Sequence, residues 1–303
     1  MAKLANVLVY EWKAWEGFLI SHLIADYCRL TASYDDTSID LEKGLSPNIK
    51  AVLLQINLSR SKDFPRRRRE LINLFNARGI LVLNSGVEDI TKRNLHRLLE
   101  TANLPHLAAT PQGNADEVLF VKSNLNYGGV AEQNLPEHLH TCIAGSHGGT
   151  IDRHDGYYVA PRKDLPLNIF SDDTVVVERY ISNPEHSFYR VYGFGDGIVI
   201  VKAHSKSLIK KISGSASDIN YCYSREEISK GRTDLPPNLT HTLQAFINAV
   251  ALDYFCLDIV HDLSSFYIID LNLTPWSGVD EQSRDATDFL IQGGLNYLGR
   301  KLV

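Results

Sequence analysis

The chain has 303 residues, 44% of them hydrophobic, enough for a large core shared among two or three compact lobes. A formal net charge of -5 with 22% charged residues argues against nucleic acid or an anionic membrane as partner. No apolar run reaches the roughly 20 residues that span a bilayer. The four cysteines, Cys28, Cys142, Cys222 and Cys256, lack metal-ligand spacing, so reduced thiols in a cytoplasmic setting are expected.

The opening MAKLANVLVYEWKAWEG has no A-x-A-like cleavage site and reads as a first strand, ANVLVY at 5–10, rather than a signal peptide. Residues 16–30 have the apolar spacing of a helix; AVLLQI (51–56) is a buried strand, 63–78 a helix and ILVLN (80–84) a third strand. Buried strands alternating with helices predict a parallel sheet in an N-terminal α/β lobe over 1–90. Asp89 or Thr91 can cap a helix running to about Thr101. From 118 onward the character is antiparallel α+β, with strands at VLFVKS, TVVVERYI (174–181), FYRVYGF (188–194) and IVIVKAH (198–204). A helix near 237–254, the hairpin FCLDIVHDLSSFYIIDLNLTPW (255–276) and a helix near 283–299 complete the chain. Lobes are expected at 1–90, 91–181 and 182–303.

Three stretches carry chemistry. In VLFVKSNLNYGG a strand fixes the direction of Lys122, and Gly128 and Gly129 let backbone N–H groups approach an anion with no Cβ in the way. TVVVERYI runs from a β-branched strand into Glu178, Arg179, Tyr180 and Ile181, an edge that can read an adenine ring, and Glu185 follows where a carboxylate can accept from ribose hydroxyls. In the hairpin, Asp270 and Asn272 at i, i+2 share one face and Asp258 can face them from the neighbouring strand. Two carboxylates and an amide oxygen suit Mg²⁺ or Mn²⁺ shared with phosphate oxygens.

This order of helix with lysine, strand–Lys–glycine loop, strand ending in Glu and D…DxN hairpin resembles the ATP-grasp superfamily, which includes D-alanine–D-alanine ligases, glutathione synthetases and ribosomal-protein glutamate ligases. The resemblance implies an α/β lobe with a parallel sheet followed by two α+β lobes that sandwich ATP. It implies that Lys92 and Lys122 contact ATP, and that Gly128 and Gly129 lie on the loop closing over its phosphates. It implies that Glu178 to Ile181 form the adenine hinge, that Glu185 takes the ribose, and that Asp258, Asp270 and Asn272 hold magnesium. Arg190 resembles an arginine near the transferred phosphate in some amino-acid-adding members. Ser123 stands where the family usually has proline, and Asp270 where it usually has glutamate.

The implied chemistry is carboxylate activation: a carboxylate attacks the γ-phosphoryl of ATP, and an amine or thiol then displaces phosphate from the acylphosphate. Arg190, Lys202 and Lys210 are candidates for stabilising the tetrahedral intermediate. Lys206, Lys210 and Lys211 lie in SKSLIKKISGSASD, which reads as a loop. Small-molecule carboxylate and amine substrates, or a peptide, are the expected partners, and a homodimer is left open. A small-molecule kinase and a non-catalytic ATP-binding protein are the alternatives. GFGDG (193–197) reads as a hairpin turn, FPRRRREL (64–71) as the solvated start of a helix, and the histidines at 138, 140, 147 and 154 as loop residues. Glu11 and Trp12 follow the first strand, where α/β lobes bind ligands, but read better as core. Trp276, Ser277, Asp280 and Arg284 are open candidates for contact with the substrate.

Overall fold

A computed structural model describes residues 6–12, 28–33, 45–59, 67–136, 157–206, 216–262, 264–275 and 284–302. The first sheet is parallel, with order β2-β1-β3-β4, built from Val7–Trp12 (β1), Cys28–Ala32 (β2), Ala51–Gln55 (β3) and Leu81–Leu83 (β4). β3 is buried along its whole length, as its unbroken apolar sequence demands. The helix expected over 16–30 is corrected at its end: Cys28–Leu30 belong to the edge strand β2. Their alternating half-buried and exposed pattern is the period of two that an edge strand shows. Residues 13–27 lie outside the described residues.

Helix α1 (Arg67–Ala77) covers one face of this sheet, packing Leu71, Ile72 and Phe75 against Tyr10, Val52 and Leu54. The arginine run is corrected here too. Arg68 turns inward, and its guanidinium donates to the carbonyls of Val87 (2.9 Å), Asn84 (3.2 Å) and Leu54 (3.4 Å). Burial pushes its pKa down to about 10, with Glu88 pulling the other way. Arg68 is therefore an internal staple and not a solvated charge.

A three-stranded antiparallel sheet, β6-β5-β7, comprises Val118–Ser123 (β5), Tyr158–Pro161 (β6) and Val175–Arg179 (β7). One face buries Leu119, Val121, Val175 and Val177 with Leu165. The other carries Phe120, Lys122 and Glu178, with Val159 opposite Phe120. The five-stranded antiparallel sheet has order β10-β9-β8-β11-β12, with β8 at Ser187–Phe194, β9 at Gly197–His204, β10 at Ala216–Ser224, β11 at Tyr254–His261 and β12 at Phe266–Asn272. GFGDG is the β8–β9 turn, as its glycines predict. The stretch read as a loop at 205–218 enters β10 at Ala216, and 207–215 lie outside the described residues.

Helices α2 (Lys92–Thr101) and α5 (Pro237–Val250) bury Leu95, Leu99, Leu243 and Phe246 against one face of the large sheet. Between them in sequence lie the short helices α3 (Val130–Gln133) and α4 (Arg225–Ser229). Helix α6 (Arg284–Lys301) joins Tyr192, Phe194 and Tyr254 to Val7, Val9 and Leu53 of the parallel sheet. Among the described residues no helix is long and apolar enough to cross a membrane.

Candidate functional site

The start of α2 docks on the end of β5. Thr91 is the N-cap, its side chain accepting from Asn94 N at 3.3 Å. Asn124, just beyond β5, accepts from Lys92 N (3.0 Å) through its carbonyl and from Arg93 N (3.0 Å) through its side chain. These bonds satisfy orphan donors of the first turn and bring Lys92 alongside Lys122. A lysine in that turn faces the positive end of the helix dipole, so it needs an anion. Asp270 provides it, in a direct Nζ–Oδ1 ion pair. Burial pushes the Lys92 pKa down, but Asp270, with Tyr157 and Glu178, offsets this and the net shift is upward.

Lys122 has two partners. Its Nζ lies 2.9 Å from Glu178 Oε2 and donates to the Ile269 carbonyl at 3.1 Å. That carbonyl is free for a reason. Asp258 pairs with Asp270 and Ile259 with Ile268, so Ile269 is the extra residue of a β-bulge, and a bulge leaves its residue out of the ladder. Glu178 is 2% exposed, and His96 Nε2 lies 2.9 Å from its Oε1. Burial raises the Glu178 pKa, yet Lys122 and His96 together hold it down at about 2. The expected hinge is thereby divided. Glu178 points into the lysine site, whereas Arg179 and Tyr180 are exposed and Ile181 is half-buried. Arg179 donates to the His106 carbonyl at 2.8 Å, and Tyr180 N donates to the Val118 carbonyl at 3.1 Å.

The aspartates face each other as the sequence spacing requires. Asp258 is opposite Asp270 on one side and opposite Arg190 on the other. The Arg190 guanidinium grips Asp258 with two bonds, at 2.6 and 2.7 Å. Burial pushes the Arg190 pKa down, but the Asp258 carboxylate opposes it and the net shift is upward, so the guanidinium is fixed as a cation. Asn272 Oδ1 accepts from Thr274 N at 2.8 Å, which identifies the oxygen end of the amide. Among the described residues no group of three His, Cys, Asp or Glu gathers around a metal position. Two carboxylates and an amide oxygen are nonetheless hard-oxygen donors of the kind that would hold a magnesium ion.

Gly128 and Gly129 have φ of 64° and 82°, and Tyr127 before them has φ 47°. A Cβ at Gly128 would meet nothing within 4 Å, so that side of the loop is open. The loop is tied down elsewhere. Asn126 N donates to Ser59 Oγ at 2.6 Å, and Ser59 N donates to Glu132 Oε1 at 2.7 Å. Burial raises the Glu132 pKa, with the Ser59 hydrogen bonds and nearby Lys92 opposing it.

Lys202 lies elsewhere. It pairs with Tyr189, whereas Arg190 pairs with Val201, so strand alternation puts Lys202 and Arg190 on opposite faces of the sheet. Lys202 sits 4.0 Å from Glu185 Oε2 and 5.9 Å from the centre of the Tyr189 ring. Glu11 is buried in an ion pair with Arg29, and Arg284 is exposed at the start of α6. Lys210, Lys211, Trp276, Ser277, Asp280, Cys142 and the four loop histidines lie outside the described residues, as does the Trp12 side chain. Sequence reading missed His96 and Glu132. His96 is four residues after Lys92, one turn along the same helix face, and that spacing was the available signal. Nothing local marks Glu132.

No protein-family model and no curated protein matches the sequence. Solved structures do match it. A D-alanine–D-alanine ligase from Bacillus anthracis complexed with ATP is 15% identical, with TM-score 0.54 over 97% of this chain and 96% of that one. The ATP-grasp ligase PsnB complexed with minimal precursor is 12% identical, with TM-score 0.55 over 98% and 99%. The macrocyclase MdnC from Microcystis aeruginosa, bound with precursor peptide MdnA, is 11% identical, with TM-score 0.53 over 96% and 99%. Nearly the whole length of the chain thus follows the backbone of these ligases, and the chain has the ATP-grasp fold.

Proposed function

We propose that this protein is an ATP- and Mg²⁺-dependent ligase that activates a carboxylate as an acylphosphate for attack by an amine or thiol, releasing ADP and phosphate. The observation that carries the reading is the convergence of Lys92, Lys122 and Arg190 on Asp258, Asp270 and the β12 bulge. Three fixed cations beside an oxygen-ligand set is what a polyphosphate and its metal require. The likeness in fold to ATP-bound and precursor-bound ligases supports it.

In this reading Asp258, Asp270 and Asn272 hold Mg²⁺, which neutralises phosphate oxygens when bound. Lys92 and Lys122 bind the phosphates, and the loop at Gly128–Gly129 offers them backbone N–H groups. Phe120 and Val159, on the Lys122 face of the small sheet, give the adenine an apolar shelf, with Tyr180 and Ile181 at its edge and Glu185 at the ribose. Arg190, beside Asp258, meets the charge that develops on the transferred phosphoryl and on the tetrahedral oxyanion. Lys202 belongs to the ribose end instead, and Lys210 stays a candidate for the oxyanion. Residues 1–90, 91–181 and 182–303 are taken as the three lobes, and the acceptor is a small acid or a peptide in a cytoplasmic reaction.

An ADP-release screen across amino acids, simple acids and peptides, each with and without an amine, tests this. ADP and phosphate appearing only with acid and amine together is the expected result. AMP release rules out the acylphosphate route, a stable phosphorylated product makes the protein a kinase, and intact ATP throughout makes it a binding protein.

A further inference from the structure

The buried pair Ser187 and His261 lies apart from the lysine and aspartate cluster. Ser187 opens β8 and His261 ends β11. Ser187 Oγ sits 2.7 Å from His261 Nε2 and 3.3 Å from Glu185 Oε2. The His261 ring packs against Tyr189 and Phe266, with centroids 5.8 and 5.3 Å away, and its Nδ1 is 3.1 Å from the Asp262 carbonyl oxygen. A serine bonded to a histidine is the arrangement of a nucleophile and its base. Burial excludes that role, because Ser187 has 0% of its surface exposed and no substrate carbonyl can reach it. The pair acts through what it touches. The group that reaches solvent is Glu185, whose side chain is 53% exposed.

The Ser187 hydroxyl donates to Glu185 Oε2, and its oxygen also rests against His261 Nε2, so the ring fixes the serine that touches the carboxylate. Oε2 is thereby held, with Lys202 Nζ 4.0 Å from it, and Oε1 is left for another donor. The preceding turn fixes the same residue from the backbone. His186 N donates to the Asn183 carbonyl at 3.0 Å, and Asn183 Nδ2 donates to the Ser187 carbonyl.

We propose that Ser187 and His261 are positioning residues that hold the Glu185 carboxylate so that its free oxygen accepts from the ribose hydroxyls of the bound nucleotide. This rests on the reading of Glu185 as the ribose residue. Calorimetric titration with Mg·ATP and with Mg·2′-deoxy-ATP tests it without knowledge of the acceptor substrate. Wild type is expected to favour ATP, and E185A to bind the two nucleotides within about twofold of each other. S187A, which deletes one oxygen atom, should cut the preference at least threefold. H261L should do the same, while H261Q, which can offer an N–H to Ser187, keeps the preference. A purely structural role would weaken both nucleotides alike. If E185A loses the preference while S187A and H261L keep it, the relay is overturned and the ribose reading stands. If E185A keeps it, or if wild type shows none, both fall. Thermal melting identifies any variant that fails to fold, and the remaining variants then decide.

Discussion

Lys92 and Asp270 are 178 residues apart in the chain and joined by a direct ion pair. In the proposed function each stands where the other's ligand belongs: the ammonium where Mg²⁺ would meet the carboxylate, the carboxylate where phosphate would meet the ammonium. Binding Mg·ATP then exchanges partners without leaving either charge bare, which matters because a buried charge that loses its partner costs about 3–5 kcal/mol.

The exchange predicts a change of sign. D270N frees Lys92 from its competitor and removes a metal ligand. Without magnesium, D270N is expected to bind ATP at least as tightly as wild type. With saturating magnesium it should bind at least about tenfold more weakly, as a lost charged ligand worth about 1.4 kcal/mol or more implies. Titration calorimetry at both magnesium levels reads this directly. Weakening by the same factor under both conditions would remove Asp270 from the metal.

Glu178 ties stability to acid. Its pKa is lowered from 4.5 to about 2 in the folded protein. A carboxylate with a lowered folded value stabilises fully above its unfolded pKa, and the contribution is lost as pH falls through the folded one. Between pH 4.5 and about 2 the protein should therefore lose about 3 kcal/mol from this group alone. K122M removes the largest single favourable influence, the charge of Lys122. Its acid-unfolding midpoint, followed by circular dichroism, should move to higher pH, and its Kd for Mg·ATP should rise about tenfold or more. An unchanged acid midpoint would mean that Lys122 does not govern Glu178.

The lysine strand and the aspartate hairpin were legible because their geometry is local. Alternation alone puts Asp270 and Asn272 on one face, and a strand alone aims Lys122. What was not legible depends on contacts between distant segments. The Ile269 carbonyl reaches Lys122 only because of a one-residue bulge that no propensity marks, and Glu132 meets Ser59 across 73 residues. The edge strand Cys28–Ala32 was hidden by the helical spacing that runs into it, although its own alternation was readable. Arg68 misled for the opposite reason. In a run of four arginines nothing in the sequence says which one faces three carbonyls.

Asn84 fastens the parallel sheet to the large one. Its side chain donates to the Tyr254 carbonyl at 2.5 Å and accepts from Asp253 N (2.7 Å) and Tyr254 N (3.1 Å), while its own N donates to Asp253 Oδ2 at 2.8 Å. Its φ of 54° is left-handed, a conformation that asparagine tolerates better than alanine. N84A should cost about 2–4 kcal/mol, from buried backbone groups left unpaired and from the backbone preference. Urea denaturation checks it, and a loss below about 1 kcal/mol would show that the clasp contributes little.

Helix α6 contains a pair of glycines with opposite expected outcomes. A Cβ on Gly293 would meet Gly197 N at 2.2 Å and Gly197 Cα at 2.4 Å, both backbone atoms of the β8–β9 hairpin, whereas one on Gly299 would meet nothing within 4 Å. G293A therefore has to push the helix off the sheet, loosening Phe194 and Leu290 in the shared core. A loss of about 3 kcal/mol or more is expected, at or beyond the upper end of ordinary overpacking. G299A stiffens an exposed helical position and should stabilise by about 0.5–1 kcal/mol. The two substitutions have the same chemistry in the same helix and differ only in what surrounds them. Urea midpoints moving in opposite directions would locate the tight contact at Gly293; midpoints moving together would show that helix propensity, not the approach of α6 to the hairpin, governs both sites.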